Sequence, residues 1–177
     1  MKILKYLLYA LVTIIGIALI SAALLPKEYT VSVSETIQKP KSQVYDYLKL
    51  FANQKEYSEW TKPDPNLKPT ITGTDGTVGS KSSWKSDNNN VGEGSQTITA
   101  MTDDQIDIDI EFIKPMAGQA KVKNKFQSKD STATTVTVEF FTKAPFPMNL
   151  PSTLFGKPMI EKTEKQILKN VKQILEK

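Results

Sequence analysis

Residues 6–25 read YLLYALVTIIGIALISAALL, a run without a single charge. An α-helix needs about 20 apolar residues to cross a hydrocarbon core, so this run predicts a transmembrane helix. Lys2 and Lys5 precede it, and the positive-inside bias then keeps the N-terminus in the cytoplasm and exports the remainder of the chain. The expected organisation is an N-terminal anchor over 1–26 and a domain over 27–177 on the periplasmic or extracellular side of a single-pass protein. A cleaved signal peptide is the competing reading, with Ser21, Ala22 and Ala23 as a small-residue cleavage site. The apolar run exceeds the roughly 7–15 residues of a signal-peptide core and no lipidation cysteine comes after it, which favours the retained anchor.

Composition then narrows the chemistry. The chain has no Cys and no His, and all 23 basic residues are lysine. There is no thiolate, imidazole or guanidinium with which to build a nucleophile, a zinc or haem site, or a bidentate grip on phosphate or guanine. We assign no catalytic residues, no metal site and no cofactor: only carboxylates, lysines and tyrosines remain for acid–base work, any metal would have to be a hard cation held by oxygens, and specific nucleic-acid readout is not expected. Setting aside Lys2 and Lys5 leaves 21 lysines against 19 carboxylates in the exported part, a balance that does not advertise a polyanionic partner.

Beyond Pro26 the patterning predicts a strand at 29–37, a helix opened by Pro40 that ends around Asn53, and a short turn or helix carrying Tyr57 and Trp60. An extended loop at 61–69 holds three prolines. Six strands come next, at 70–73, 80–87, 95–102, 105–113, 119–128 and 132–142, separated by Gly, Asn and Asp turns, as in an antiparallel meander. The chain closes with a helix beginning between Pro151 and Pro158. Its apolar stripe is Ile160, Ile167, Leu168, Val171, Ile174 and Leu175.

Alternation assigns the sheet faces. Ile106, Ile108, Ile110 and Phe112 share one face and Asp107, Asp109 and Glu111 the other, while Ala120, Val122 and Phe126 oppose Lys121, Lys123 and Lys125. The two charged rows are complementary and belong on a solvated outer face, not in a calcium site. Two polar residues fall at inward parity. Asn124 shares the face of Val122 and Phe126, and Glu35 that of Val33 and Ile37; each meets an interior partner or ligand, or lies at a bulge or sheet edge.

This order of elements resembles the α+β helix-grip fold of the START-like (SRPBCC) superfamily, in its polyketide cyclase/dehydrase and lipid-transport branch. The matching stretches are IQKPKSQV at 37–44, Trp60, the strand ending at Trp84, Gly92-Glu93-Gly94, FIKP at 112–115, TVTVEF at 135–140 and FPMNL at 146–150. The resemblance implies an antiparallel sheet wrapped around the long C-terminal helix, with an apolar cavity between them. Carried onto this sequence, the cavity lining is Trp84, Ile108, Ile110, Phe112, Val122, Asn124, Phe126, Val136, Val138 and Phe140 from the strands. Phe146, Met148, Phe155, Met159 and Ile160 close it from the helix side. The expected function is a membrane-anchored binder or carrier of an apolar small molecule or lipid. The alternatives are a protein-interaction module and an enzyme of the cyclase/dehydrase kind.

Overall fold

The computed structural model describes residues 2–177. A long apolar helix α1 (Lys2–Leu24) leads into β1 (Glu28–Ile37), α2 (Lys41–Leu48), a 3₁₀ turn (Phe51–Asn53) and α3 (Gln54–Tyr57). Then come β2 (Thr70–Thr72), β3 (Lys81–Lys85), β4 (Glu93–Thr102), β5 (Gln105–Lys114), β6 (Gly118–Ser128) and β7 (Thr134–Lys143). The chain ends with α4 (Asn149–Pro151), a π turn (Ser152–Gly156) and α5 (Lys157–Leu175). The strands form one antiparallel sheet in the order β1-β7-β6-β5-β4-β3-β2, and α5 lies along β1 on the inner face. This is the helix-grip architecture.

The register seats the charged rows as their signs require: Asp107 pairs with Lys123 and Asp109 with Lys121, and the Lys125 ammonium lies 2.7 Å from Glu139. On the outer face Asp109 and Glu139 are held by lysines, while Asp107 accepts from the Gln105 amide at 2.6 Å. On the inner face, Val31, Val33, Ile37, Ile98, Ile106, Val136, Leu168 and Val171 form the buried core.

At two boundaries that depart from the sequence pattern, a hydrogen-bonding side chain holds the new one. The first helix stops at Leu48 instead of running to Asn53, because Leu50 turns extended and a new helical segment starts at Phe51. Its free N–H groups are taken by Asp75, whose two carboxylate oxygens accept from Phe51 N at 2.9 Å and Ala52 N at 3.0 Å. An acidic residue capping a helical N-terminus is ordinary chemistry, but this cap comes from the β2–β3 loop. Strand β7 begins at Thr134 and not at Thr132, since Asp130 holds both the N–H and the hydroxyl of Thr132 in a turn.

Two register shifts bend the sheet, one between Ile98 and Ala100 and one between Glu93 and Gly94. The second brings Trp84, Gly94 and Phe112 side by side, with the two rings edge-on at 6.4 Å. A Cβ on Gly94 would lie 2.5 Å from the Glu111 carbonyl oxygen and 2.6 Å from the Trp84 ring. Glycine there is a packing requirement.

Helix α1 stands away from the domain except at its end. Ala22 is buried, and the buried Asn149 side-chain amide donates to the carbonyls of Ala22 at 2.6 Å and Leu25 at 3.1 Å. The last carbonyls of a helix lack intrahelical donors, and Asn149 supplies one.

Gly94→Ala is expected to cost about 1–3 kcal/mol through overpacking against a backbone carbonyl that cannot retreat. Chemical denaturation should show the lower midpoint, whereas Gly79→Ala, with open space around its Cβ, should act only through its positive φ.

Candidate functional site

The inner face is layered by the strand register. One row runs Ile106, Asn124, Val138, Val33, and the next Ile108, Val122, Phe140, Val31. Beyond them, toward the β3–β4 hairpin, lie Ile110, Phe112 and Trp84. Burial divides the expected lining into three groups. Ile108, Phe126, Val136, Val138, Phe140 and Ile160 are buried and packed as core. Trp84, Ile110, Phe112, Val122 and Asn124 are half-buried, forming an apolar wall with one neutral amide in it. Phe146, Met148, Phe155 and Met159 are exposed, on or beside the segment that precedes and opens α5.

Glu35 keeps its inward parity in a regular stretch of β1, which is an edge strand. Its charge is met by the Lys172 ammonium of α5 at 2.7 Å. That pair is part-exposed and ties the helix to the sheet edge.

The group that the apolar stripe passes over is Glu164. It lies four residues after Ile160 and three before Ile167, so helical periodicity puts it on the buried face of α5, and it is only 7 % exposed. Its partner is Trp60, whose indole Nε1–H donates to Glu164 Oε1 at 2.9 Å. The buried Tyr57 lies on the same α3 side, and Asn170 of α5 donates to the Tyr57 carbonyl at 3.0 Å. Burial pushes the Glu164 carboxyl up to about 7, and the Trp60 hydrogen bond opposes that shift without cancelling it. At neutral pH this carboxyl is thus a hydrogen-bonding group that is partly uncharged. The readable signal was the single gap in the helical stripe, filled by an acid.

Two open surface grooves lie apart from the α5 side of the fold. One of about 330 Å³ runs across β2 to β5 among Lys68, Lys81, Lys85, Glu93 and Glu111, with Trp84 at its border. Another of about 630 Å³ lies beside α2 and the β4–β5 turn among Lys41, Asp104, Lys125 and Phe126. In the second, Lys41 and Asp104 are paired. Both are lined largely by polar and charged side chains. Among the described residues, no group of three or more acidic side chains is gathered as a metal would require.

No family model matches the chain, and no curated protein matches its sequence. Solved structures do. The norcoclaurine synthase of Thalictrum flavum, solved with dopamine and hydroxybenzaldehyde, is similar with a TM-score of 0.62 at 8 % identity, over 84 % of this chain and 86 % of that one. Protein CV1439 of Chromobacterium violaceum is similar with a TM-score of 0.60 at 11 % identity, over 86 % and 99 %. The di-domain ARO/CYC protein StfQ of the steffimycin biosynthetic pathway gives 0.60 at 8 %, over 82 % of this chain and 50 % of its own length. The likeness is one of fold, and it agrees with the START-like resemblance of the sequence.

Glu164 gives a pH signature with a definite sign. The folded carboxyl keeps its proton to about 7 and the unfolded one releases it near 4.5, so its stabilisation is complete below 4.5 and is lost as pH rises through that window. No histidine titrates there, because the chain has none. Thermal stability should therefore fall between pH 5 and 8 by on the order of 3 kcal/mol. Glu164→Gln, which still accepts from Trp60, should flatten that slope in pH-resolved melting curves.

Proposed function

We propose that the chain is a membrane-anchored binding or carrier protein for an apolar, uncharged or weakly polar small molecule or lipid in the cell envelope. The observation that carries this reading is the half-buried inner wall of Trp84, Ile110, Phe112 and Val122, with Asn124 as a neutral donor and acceptor within it. Core side chains of a domain this size are ordinarily buried outright, and five adjacent inward positions left half-covered favour a cargo face. One structural neighbour was solved with two small aromatic molecules. With neither Arg nor His in the chain, an anionic head group finds no forked or imidazole partner, so the cargo is neutral. Apolar burial at about 25 cal/mol per Å² supports micromolar affinity once the costs of association are subtracted.

The anchor belongs to the same reading. Residues Ile3–Leu24 are apolar and long enough to span a bilayer, with the helix largely uncovered by protein. Asn149 favours retention of this segment over its removal, because cleavage after Ala23 would strip a buried amide of its shorter bond, to Ala22, and leave it only the Leu25 carbonyl. Lys2 and Lys5 orient the span with the domain outside the cytoplasm.

Three measurements test this. Mass spectrometry of an apolar extract of the purified full chain is expected to find a stoichiometric neutral compound. Titration with N-phenyl-1-naphthylamine should show micromolar binding that weakens at least tenfold in Ile110→Phe and Val122→Phe, both of which should melt within a few degrees of the parent. Absence of both extractable cargo and probe binding would overturn the binding reading. A cytoplasm-dependent reporter fused after Lys177 should stay silent, and activity there would overturn the topology.

A further inference from the structure

The segment between β7 and the body of α5 carries an apolar face with nothing of this chain against it. Phe146, Met148, Leu154, Phe155 and Met159 are all exposed, Phe155 to 73 %, while Asn149 and Ile160 turn inward. Over residues 144–160 the only charged side chain is Lys157. Five large exposed apolar groups concentrated in so short and charge-poor a stretch are of the kind that marks an interaction surface.

The position of the patch identifies its occupant. At about 1.5 Å per residue, the helix over residues 6–25 spans about 30 Å, so Leu25 lies at the outer edge of the hydrocarbon core and Ala22 about one helical turn beneath it. Asn149 donates to both of those carbonyls, which holds α4 at that boundary. Met148 is its immediate neighbour in the chain. Phe155 and Met159 come later along the same helical segment, one helical turn apart. The patch therefore begins where α4 meets the end of α1.

We infer that residues 146–159 form a second membrane contact, an interfacial segment whose apolar side chains insert among the lipids around the end of α1. This rests on the anchoring reading and goes beyond it, because the domain is then held against the bilayer by two contacts joined through Asn149. Lys157, the one charged side chain of the segment, is exposed, and in an interfacial segment its ammonium would reach the lipid phosphates. The chemistry recognised is a bilayer surface with anionic head groups. Cargo leaving or entering the inner face would then pass beside lipid rather than through bulk water.

The absence of cysteine allows a clean test, since any single cysteine is unique. The full chain carrying Phe155→Cys is labelled with an NBD fluorophore and reconstituted in phosphatidylcholine/phosphatidylglycerol vesicles containing 5-doxyl phosphatidylcholine. Leu11→Cys reports on the span. Asp130→Cys reports on the β6–β7 turn, at the far end of the ten-residue strand β7 from α4. The Phe155 label is expected to lose at least half its emission to the doxyl lipid, the Leu11 label likewise, and the Asp130 label none. If the Phe155 label behaves like the Asp130 label while Leu11 is quenched, the interfacial contact is overturned and the anchor stands. An unquenched Leu11 label overturns the anchor, and this inference with it. Disulfide-linked dimers of unlabelled Phe155→Cys, with no quenching of the labelled form, would assign the face to a second copy of the chain and overturn the lipid contact.

Discussion

One helix has to cover the inner face of a seven-stranded sheet, and it is too narrow to do so. Strands are spaced about 4.8 Å apart, so seven of them span roughly 30 Å, whereas a helix with its side chains is about 10–12 Å across. The sheet answers by curling around α5, helped by the two register shifts in the β4–β5 ladder. Even so, α5 packs chiefly along β1. The α2–α3 region closes another part of the face, with Tyr45 edge-on to Phe126 and Gln54 hydrogen-bonded to Gln96. The wall from Val122 to Trp84 is left half-covered. The candidate site is thus the remainder of a covering problem, located where neither the helix nor the α2–α3 segment reaches.

Three buried or half-buried polar contacts fix how the pieces meet. Asp75 holds the start of the 3₁₀ turn to the β2–β3 loop, Glu164 holds α5 to Trp60, and Asn149 holds the end of α1 to α4. Each joins segments far apart in sequence, and each places a hydrogen-bonding group where an apolar side chain would pack without direction. Such contacts add little net stability, but an unpaired member costs much more than the pair gains, so each tolerates one arrangement only. In Glu164 the cost of burial shows in the raised carboxyl, and in Asn149 as an Oδ1 atom left buried without a partner among the described residues.

The relation between the anchor and the domain gives the molecule its direction. A flexible link alone would let the domain turn freely about the end of α1. The amide of Asn149, set into the last turn of α1, instead couples the helix axis to α4 and through it to α5. The exposed apolar side chains of 146–159 then have a defined relation to the axis of α1, which under the proposed anchoring is a defined relation to the lipid plane.

Local periodicity was enough to read the long apolar N-terminal helix, the succession of strands along the chain, the charged outer face and the apolar stripe of α5, because each is set by side-chain patterning within one segment. The inward parity of Asn124 and Glu35 was legible for the same reason. The gap in the stripe at Glu164 was also there to be read, but its partner Trp60 lies 104 residues away and no pattern joins them. Asp75 and Asn149 look like turn residues in the sequence and become long-range caps only when the fold brings helix ends to them. The division of the expected lining into packed core, half-buried wall and exposed rim depends on how far one helix covers a curled sheet. That is a property of widths and curvature, and only the tertiary structure decided it.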